Sequence, residues 1–323
     1  MEEKIINSGE QSAGKTPRQV LSREKKRLVF YICVMALPVL QFCVFYIYQN
    51  LSSIMMAFET HNVNLVEGTY SITRNFDNFK TAWRYFLTTG DMFKNSLEML
   101  LVTIVISMNI AIVFSFYIYK QCPGATFFKV SLFLPQVISS VVFVMLYQYL
   151  VNSVYAEIMQ KITGNYTQGL LSNPDTTFGT VMFYCVWASF GTNVLMYTGT
   201  MSGIDESLVE SVQLDGANII QEFIHITFPM IYRTYVTFLI VSIAGLFTST
   251  MNLHTFFGTQ SNYKTIGYDI YINVLNSDVY VSPGSSWLSY PVISAYGLIL
   301  TAFVAPATLL LKKFLEKIGP STN

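Results

Sequence analysis

Apolar residues run along this chain in long blocks, not at the short periods of amphipathic helices or half-buried strands. Six blocks, at 28–48, 97–119, 130–151, 178–201, 232–251 and 287–311, reach the roughly 20 residues that a helix needs to cross a bilayer. Apart from Glu98 and Arg233 near block ends, none of them holds Asp, Glu, Lys, Arg or His. Their Thr, Tyr, Phe, Ile and Val content alone would suit buried strands, but strands rarely exceed about 10 residues. The pattern therefore predicts an all-α membrane protein with six transmembrane helices.

Basic residues set the direction, because Lys and Arg concentrate on the cytoplasmic side. With the amino terminus inside, the inner segments carry 13 Lys and Arg and the outer loops 6. Arg23, Lys25, Lys26 and Arg27, hard against the first block, are the strongest contribution. Both termini are expected in the cytoplasm. The same cluster could open a secretory signal, but the apolar run is too long for a signal core and no small-x-small cleavage pattern follows. The expected organisation is a basic, disordered tail over 1–27, a transmembrane domain over 28–311 and a cytoplasmic tail over 312–323. Three outer loops result, near 49–96, 152–177 and 252–286, rich in Tyr, Asn, Ser and Thr. Loops of that size fold back on the protein or meet a partner.

Composition supports the membrane reading and removes other classes. Of the 323 residues 52% are apolar and 12% charged, against about 25% charged in soluble proteins. Lys plus Arg equals Asp plus Glu at 19 each, so the basic footprint of a nucleic-acid binder is absent. Cys33, Cys43, Cys122 and Cys185 have no close Cys or His companions, and His61, His225 and His254 are scattered. No metal site or cofactor is expected. The run Gly9-Glu10-Gln11-Ser12-Ala13-Gly14-Lys15-Thr16 matches a phosphate-binding loop letter for letter. That chemistry needs a strand before the loop and a helix after it; here Pro17 and a basic tail follow, and no nucleotide binding is expected.

One inner segment stands out. Residues 202–231 are longer than the other inner connections and strongly patterned. Asp205 is a good helix N-cap, and Ile204, Leu208 and Val212 recur at the spacing of an apolar stripe. Glu206 and Glu210 lie four apart beside that stripe. Asp215-Gly216-Ala217 then breaks the helix, and a second stretch carries Ile219, Ile220, Phe223 and Ile226 before Pro229 closes it ahead of the fifth block. A connector lying on an anionic leaflet would carry Lys and Arg. This one carries Asp205, Glu206, Glu210, Asp215 and Glu222 and no Lys or Arg before Arg233. A basic protein partner fits it better than lipid does.

The run Glu210-Ser211-Val212-Gln213-Leu214-Asp215-Gly216-Ala217, continuing to Phe223, Ile226 and Phe228-Pro229, resembles the EAA loop of ABC importer permeases. Glu210, Asp215, Gly216, Ala217, Phe223, Ile226 and Pro229 match that pattern. Ser211, Val212 and Phe228 stand for Ala, Ala and Leu, and Asp205 stands where Pro is frequent. The resemblance covers nearly the whole chain and is closest to the carbohydrate-uptake class. It includes Asn75-Phe76-Asp77-Asn78-Phe79, Asn95-Ser96-Leu97, Phe133-Leu134-Pro135, Asn173-Pro174 and Trp187. The long basic tail and Ala36-Leu37-Pro38 favour the first of that class's two permease types. Phe257-Gly258-Thr259-Gln260-Ser261-Asn262 replaces the usual glycine- and proline-rich outer stretch.

The resemblance implies a permease subunit, itself no enzyme, in the bacterial cell membrane. Implied partners are a second homologous permease, a cytoplasmic ABC ATPase dimer, an extracytoplasmic solute-binding protein and a sugar. The loop would be a coupling helix, with Glu206, Glu210, Asp215, Gly216, Ala217, Phe223 and Pro229 as the ATPase-coupling residues.

Polar and aromatic residues within the blocks are candidates for the substrate path: Gln136, Trp187, Asn193, Tyr197, Ser249 and Tyr290 above all, with Ser139, Ser140, Thr248 and Ser294 beside them. Asn193 and Tyr197, one turn apart, form the preferred pair. Ser and Thr also serve helix packing, and Tyr and Trp also mark interfaces. A permease for another small solute is the alternative, and a secondary transporter the next. The latter would place ionisable residues inside the membrane despite their cost, and an intramembrane enzyme would need a nucleophile and base there.

Overall fold

The computed structural model describes residues 23–64, 69–277 and 288–320. Most of the basic tail with its 9–16 run, the 278–286 part of the third outer loop, and Trp287 lie outside them. The described residues form two compact units, one reaching Ser53 and the other beginning at Ile54.

A long apolar helix comes first: α1, Arg23–Ala57, is 35 residues long. It contains Pro38 and widens to a π-helical turn over Cys43–Tyr48. An antiparallel hairpin follows, which the all-α expectation did not include. Strand β1 (Glu59–Asn64) pairs with β2 (Thr69–Arg74), Glu59 opposite Arg74 and Asn64 opposite Thr69. Ile72 and Thr73 supply β-branched residues that suit a strand. The base of the hairpin is tied by Asn78, 6% exposed, whose amide donates to the carbonyls of Ala57 and Glu59 at 3.0 Å each.

The remaining helices are α2 (Asp77–Thr88), α3 (Gly90–Tyr119), α4 (Ala125–Val137), α5 (Ser140–Thr163), α6 (Pro174–Met201), α7 (Glu206–Leu214), α8 (Ile219–Ala244), α9 (Leu253–Phe257), α10 (Ile266–Asn276) and α11 (Tyr290–Ile318). Among the described residues six helices, α1, α3, α5, α6, α8 and α11, are long and apolar enough to cross a membrane. The expectation of six spans holds.

Several boundaries differ from the sequence reading. The third block is not one helix: it breaks between α4 and α5, where Ile138 is extended and Ser139 also leaves the helical conformation. Pro135 removes a helical N–H near the end of α4, and Ser139 becomes the N-cap of the next helix. Pro135 and Ser139 do not mark that break by themselves, because proline and serine are tolerated within transmembrane helices. Nor does Pro229 close a separate helix. It sits inside α8, which runs from Ile219 without interruption because the chain takes a π-helical turn over Phe223–Thr227 just before it. The far end of α8 comes early, at Ala244, and the chain turns through 245–252. Finally, α11 continues to Ile318, past the expected boundary at Leu311.

Packing in the second unit falls into three clusters. Buried Ala111, Ile112, Phe190, Val194, Tyr197, Met201, Val209 and Ile231 join α3, α6, α7 and α8. Phe143, Tyr147, Tyr184, Phe256 and Tyr268 join α5, α6, α9 and α10. Ala82, Ile266, Ala295, Tyr296 and Leu300 join α2, α10 and α11. The close fit of α4 on α6 depends on Gly191, because a Cβ there would collide with the carbonyl of Leu132.

Candidate functional site

The connection between α6 and α8 builds a defined surface at one end of the bundle. Asp205 caps α7, accepting from the Ser207 N–H at 3.0 Å and the Ser207 hydroxyl at 2.8 Å. Those bonds hold its carboxyl below the usual carboxylate range. The helix ends at Asp215, and Gly216 follows with φ +81. Nothing crowds a Cβ at Gly216; the left-handed backbone alone calls for glycine. Asn218 then opens α8 with a reciprocal cap: Gln221 N–H donates to the Asn218 side chain, and the Gln221 side chain accepts from Asn218 N–H, both at 2.8 Å.

The inward face of α7 is one position away from the expected stripe. Ile204 and Val209 are buried, whereas Leu208 is 37% exposed and Val212 half-buried. Ile204 precedes the Asp205 cap, so it does not share the helical phase of the residues after it. Glu206, Glu210 and Leu214, each four residues apart, are all exposed, and so are Asp215, Ile219 and Ile220. Leu214 is 88% exposed. Among the described residues none of Glu206, Glu210 and Asp215 takes part in an ion pair. Ala217 and Phe223 are half-buried, and Phe223 packs on Phe116 with ring centroids 4.9 Å apart.

Glu222 behaves differently from the other acids of this segment. It is 2% exposed, and its Oε1 lies 2.5 Å from Lys120 Nζ at the end of α3. Its Oε2 accepts from Gln213 Nε2 of α7 at 3.3 Å. The sequence did hold a signal: Glu222 falls on the same helical face as Ile219 and Ile226, an acid on an apolar stripe.

The residues proposed for a substrate path are spread over several environments. Gln136 bridges α4 to α6, donating to the Ala188 carbonyl and accepting from Thr192 Oγ1 at 2.6 Å. Trp187 is half-buried, edge-on to Phe143 at 4.9 Å, and lines a cavity of about 660 Å³ with Tyr147, Thr180 and Phe183. Asn193 is half-buried and its amide has no hydrogen-bond partner among the described residues. Tyr197, one turn on, is fully enclosed against Phe238 and packs into the core. Ser249 lies beyond the end of α8, where its carbonyl accepts from Thr265 at 2.8 Å. Tyr290 is the first residue of α11, so it sits at a helix end and not at mid-depth.

At the far end of α8, Asp269 of α10 is 6% exposed and accepts from the Tyr85 hydroxyl of α2 at 2.7 Å. Burial pushes its carboxyl above the ordinary range; the Tyr85 hydrogen bond and Lys264 pull the other way. Burial raises the Tyr85 hydroxyl too, and the neighbouring Asp269 adds to it.

Residues 27–321 match the family of binding-protein-dependent transport system inner membrane components, and the chain belongs to that family. It is a multi-pass protein of the bacterial plasma membrane, and a transport component, not an enzyme. Over 218 residues it is 25% identical to the arabinooligosaccharides transport system permease AraP of Bacillus subtilis, covering 65% of this chain and 66% of AraP. Over 213 residues it is 22% identical to the maltose/maltodextrin permease MalF of Vibrio vulnificus, covering 63% of this chain and 40% of MalF. The matched stretch thus spans less than two thirds of either relative. In fold it is similar to a chain of a bacterial ABC transporter that imports the acidic polysaccharide alginate, with TM-score 0.70, 18% identity, and coverage of 91% of this chain and 98% of the other.

Proposed function

We propose that this chain is one of two homologous permease subunits of an ATP-driven sugar or oligosaccharide importer. The solute is delivered by an extracytoplasmic binding protein, and each permease forms half of the path. Both termini and the α7 surface face the cytoplasm, where α7 is the coupling helix seated on an ABC ATPase dimer. The observation that carries this reading is the ridge of Glu206, Glu210 and Leu214, exposed beside Asp215, Ile219 and Ile220. Unpaired carboxylates interleaved with exposed apolar side chains fit a groove lined by basic and apolar residues. Closure of the ATPase dimer on ATP then moves α7, and the spans rock between inward- and outward-facing states as rigid bodies. The sugar class is supported by what AraP, MalF and the alginate importer are named for.

The test begins with a panel of labelled mono- and oligosaccharides, to find one whose uptake depends on this chain. Glu210→Lys reverses the charge that faces the ATPase, and Gly216→Pro removes a residue that can adopt φ +81. Each is expected to abolish uptake while the protein stays in the membrane at normal levels. Normal uptake by a well-expressed double variant would overturn the coupling role.

A further inference from the structure

We propose that Gln213, Glu222 and Lys120 form a clamp that transmits movement of α7 to α3, making Glu222 and Lys120 positioning residues of the transport cycle. The inference rests on the reading of α7 as the coupling helix and adds the route by which its motion reaches the spans. Three separate elements meet at one buried carboxylate: Gln213 on α7, Glu222 on α8 and Lys120 closing α3. The ammonium of Lys120 is itself largely enclosed, with its side chain 19% exposed. It stands 5.9 Å from the centroid of Phe116 and 5.7 Å from that of Tyr119. Phe116 in turn packs on Phe223, the residue after Glu222.

The remaining contacts between α7 and the spans, such as Val209 in its apolar cluster, are non-directional and let helices slide. Bonds to a buried carboxylate are directional: the Lys120 contact that ties α3 to α8 is short at 2.5 Å, and the Gln213 bond that ties α7 to them is longer at 3.3 Å. Glu222 itself is shut off from water, so its ion pair with Lys120 is weakly screened, and separating the two leaves an uncompensated buried charge. Displacement of α7 therefore carries α8 and the end of α3 along as one body. A weaker link would let α7 move while α3 stays.

The experiment uses the assembled importer in lipid nanodiscs, with a genetically encoded fluorescent amino acid at position 211 on α7 or position 113 on α3. ATP with vanadate is the trigger, so no sugar is needed. The unsubstituted protein should respond at both positions. Glu222→Gln keeps the size and a polar contact to Gln213 but removes the charge. It should leave the response at 211 intact and reduce that at 113 roughly tenfold, within the range of ordinary coupling free energies. Lys120→Met should do the same, and the exchange Lys120→Glu with Glu222→Lys should restore the response. A full response at 113 in Glu222→Gln overturns the clamp alone, because a staple that only stabilises the fold would leave transmission unchanged. No response at 211 in the unsubstituted protein overturns the coupling-helix reading and the clamp with it.

Discussion

Helix α8 has a buried acid near each end, and the two are built differently. Near its start, Glu222 faces a lysine at 2.5 Å. Beyond its far end, Asp269 faces a tyrosine hydroxyl at 2.7 Å, and among the described residues no cation lies within ion-pairing distance of it. Removing charge from water is costly in both places, but only the first is offset by a cation in direct contact; at the second Lys264 attracts from further away. The second is relieved by its raised pKa, which favours the neutral acid. Glu222 is accordingly joined by charge to Lys120 at the proposed cytoplasmic end, and Asp269 is a hydrogen-bonded joint between α2 and α10 at the other.

The largest effect should come from breaking the ionic link on one side only. Lys120→Met leaves Glu222 charged and buried, which should cost about 3–5 kcal/mol of stability. The double change Lys120→Met with Glu222→Met should recover most of it, read as thermal unfolding of the detergent-purified protein. Equal instability in single and double variants would mean that the pair's charge is not what matters.

Next comes the turn between the two elements that Glu222 connects. Gly216→Ala forces a Cβ into a left-handed backbone at an expected cost of about 1–2 kcal/mol. Faster amide exchange at 213–218 would report it. Unchanged exchange would mean that the backbone finds another turn.

The Asp269 joint should give a smaller effect of a distinctive kind. Because the folded-state pKa is raised, the folded protein holds the proton more tightly than the unfolded chain does. This group's contribution is fully present below the ordinary carboxylate value and is lost as pH rises through the raised folded value. Asp269→Asn removes this group's share of the slope, with a change at neutral pH of about 1 kcal/mol or less. Melting curves across the acid range decide it; an unchanged slope in the variant would remove Asp269 as the titrating group.

Smallest in stability, though not in function, is Asn193→Ala. An amide without a partner contributes little to folding, so stability should stay within about 0.5 kcal/mol. Sugar uptake or transport-coupled ATP hydrolysis should change. No change in either would take Asn193 out of the path.

The six spans were legible because a membrane demands continuous apolar helices, and the charge-free blocks record that demand directly. The broken third block was not, since Pro135 and Ser139 are residue types that continuous transmembrane helices also tolerate. The continuity of α8 was hidden by Pro229, which reads as a stop unless the preceding π-helical turn is known. In the loop, the Asp205 cap and the Gly216 turn were readable because each is a local backbone requirement. The stripe on α7 was misplaced by one position because Ile204 lies before the cap. Lys120 and Glu222 meet only through tertiary packing, so nothing in their own neighbourhoods pairs them. Tyr197 and Asn193 share a helical face by spacing, yet one is sealed in the core and the other is only half-covered, a distinction that depends on where Phe238 of α8 lies.

The central claim is that α7 docks an ABC ATPase, and purification of this chain from its native membranes tests it most directly. Affinity capture followed by mass spectrometry should recover an ABC ATPase and a second permease bearing the same kind of loop. The same capture with Glu210→Lys should lose the ATPase and keep the second permease. A chain that purifies with no ATPase at any stoichiometry, or an ATPase retained undiminished by Glu210→Lys, would contradict the account.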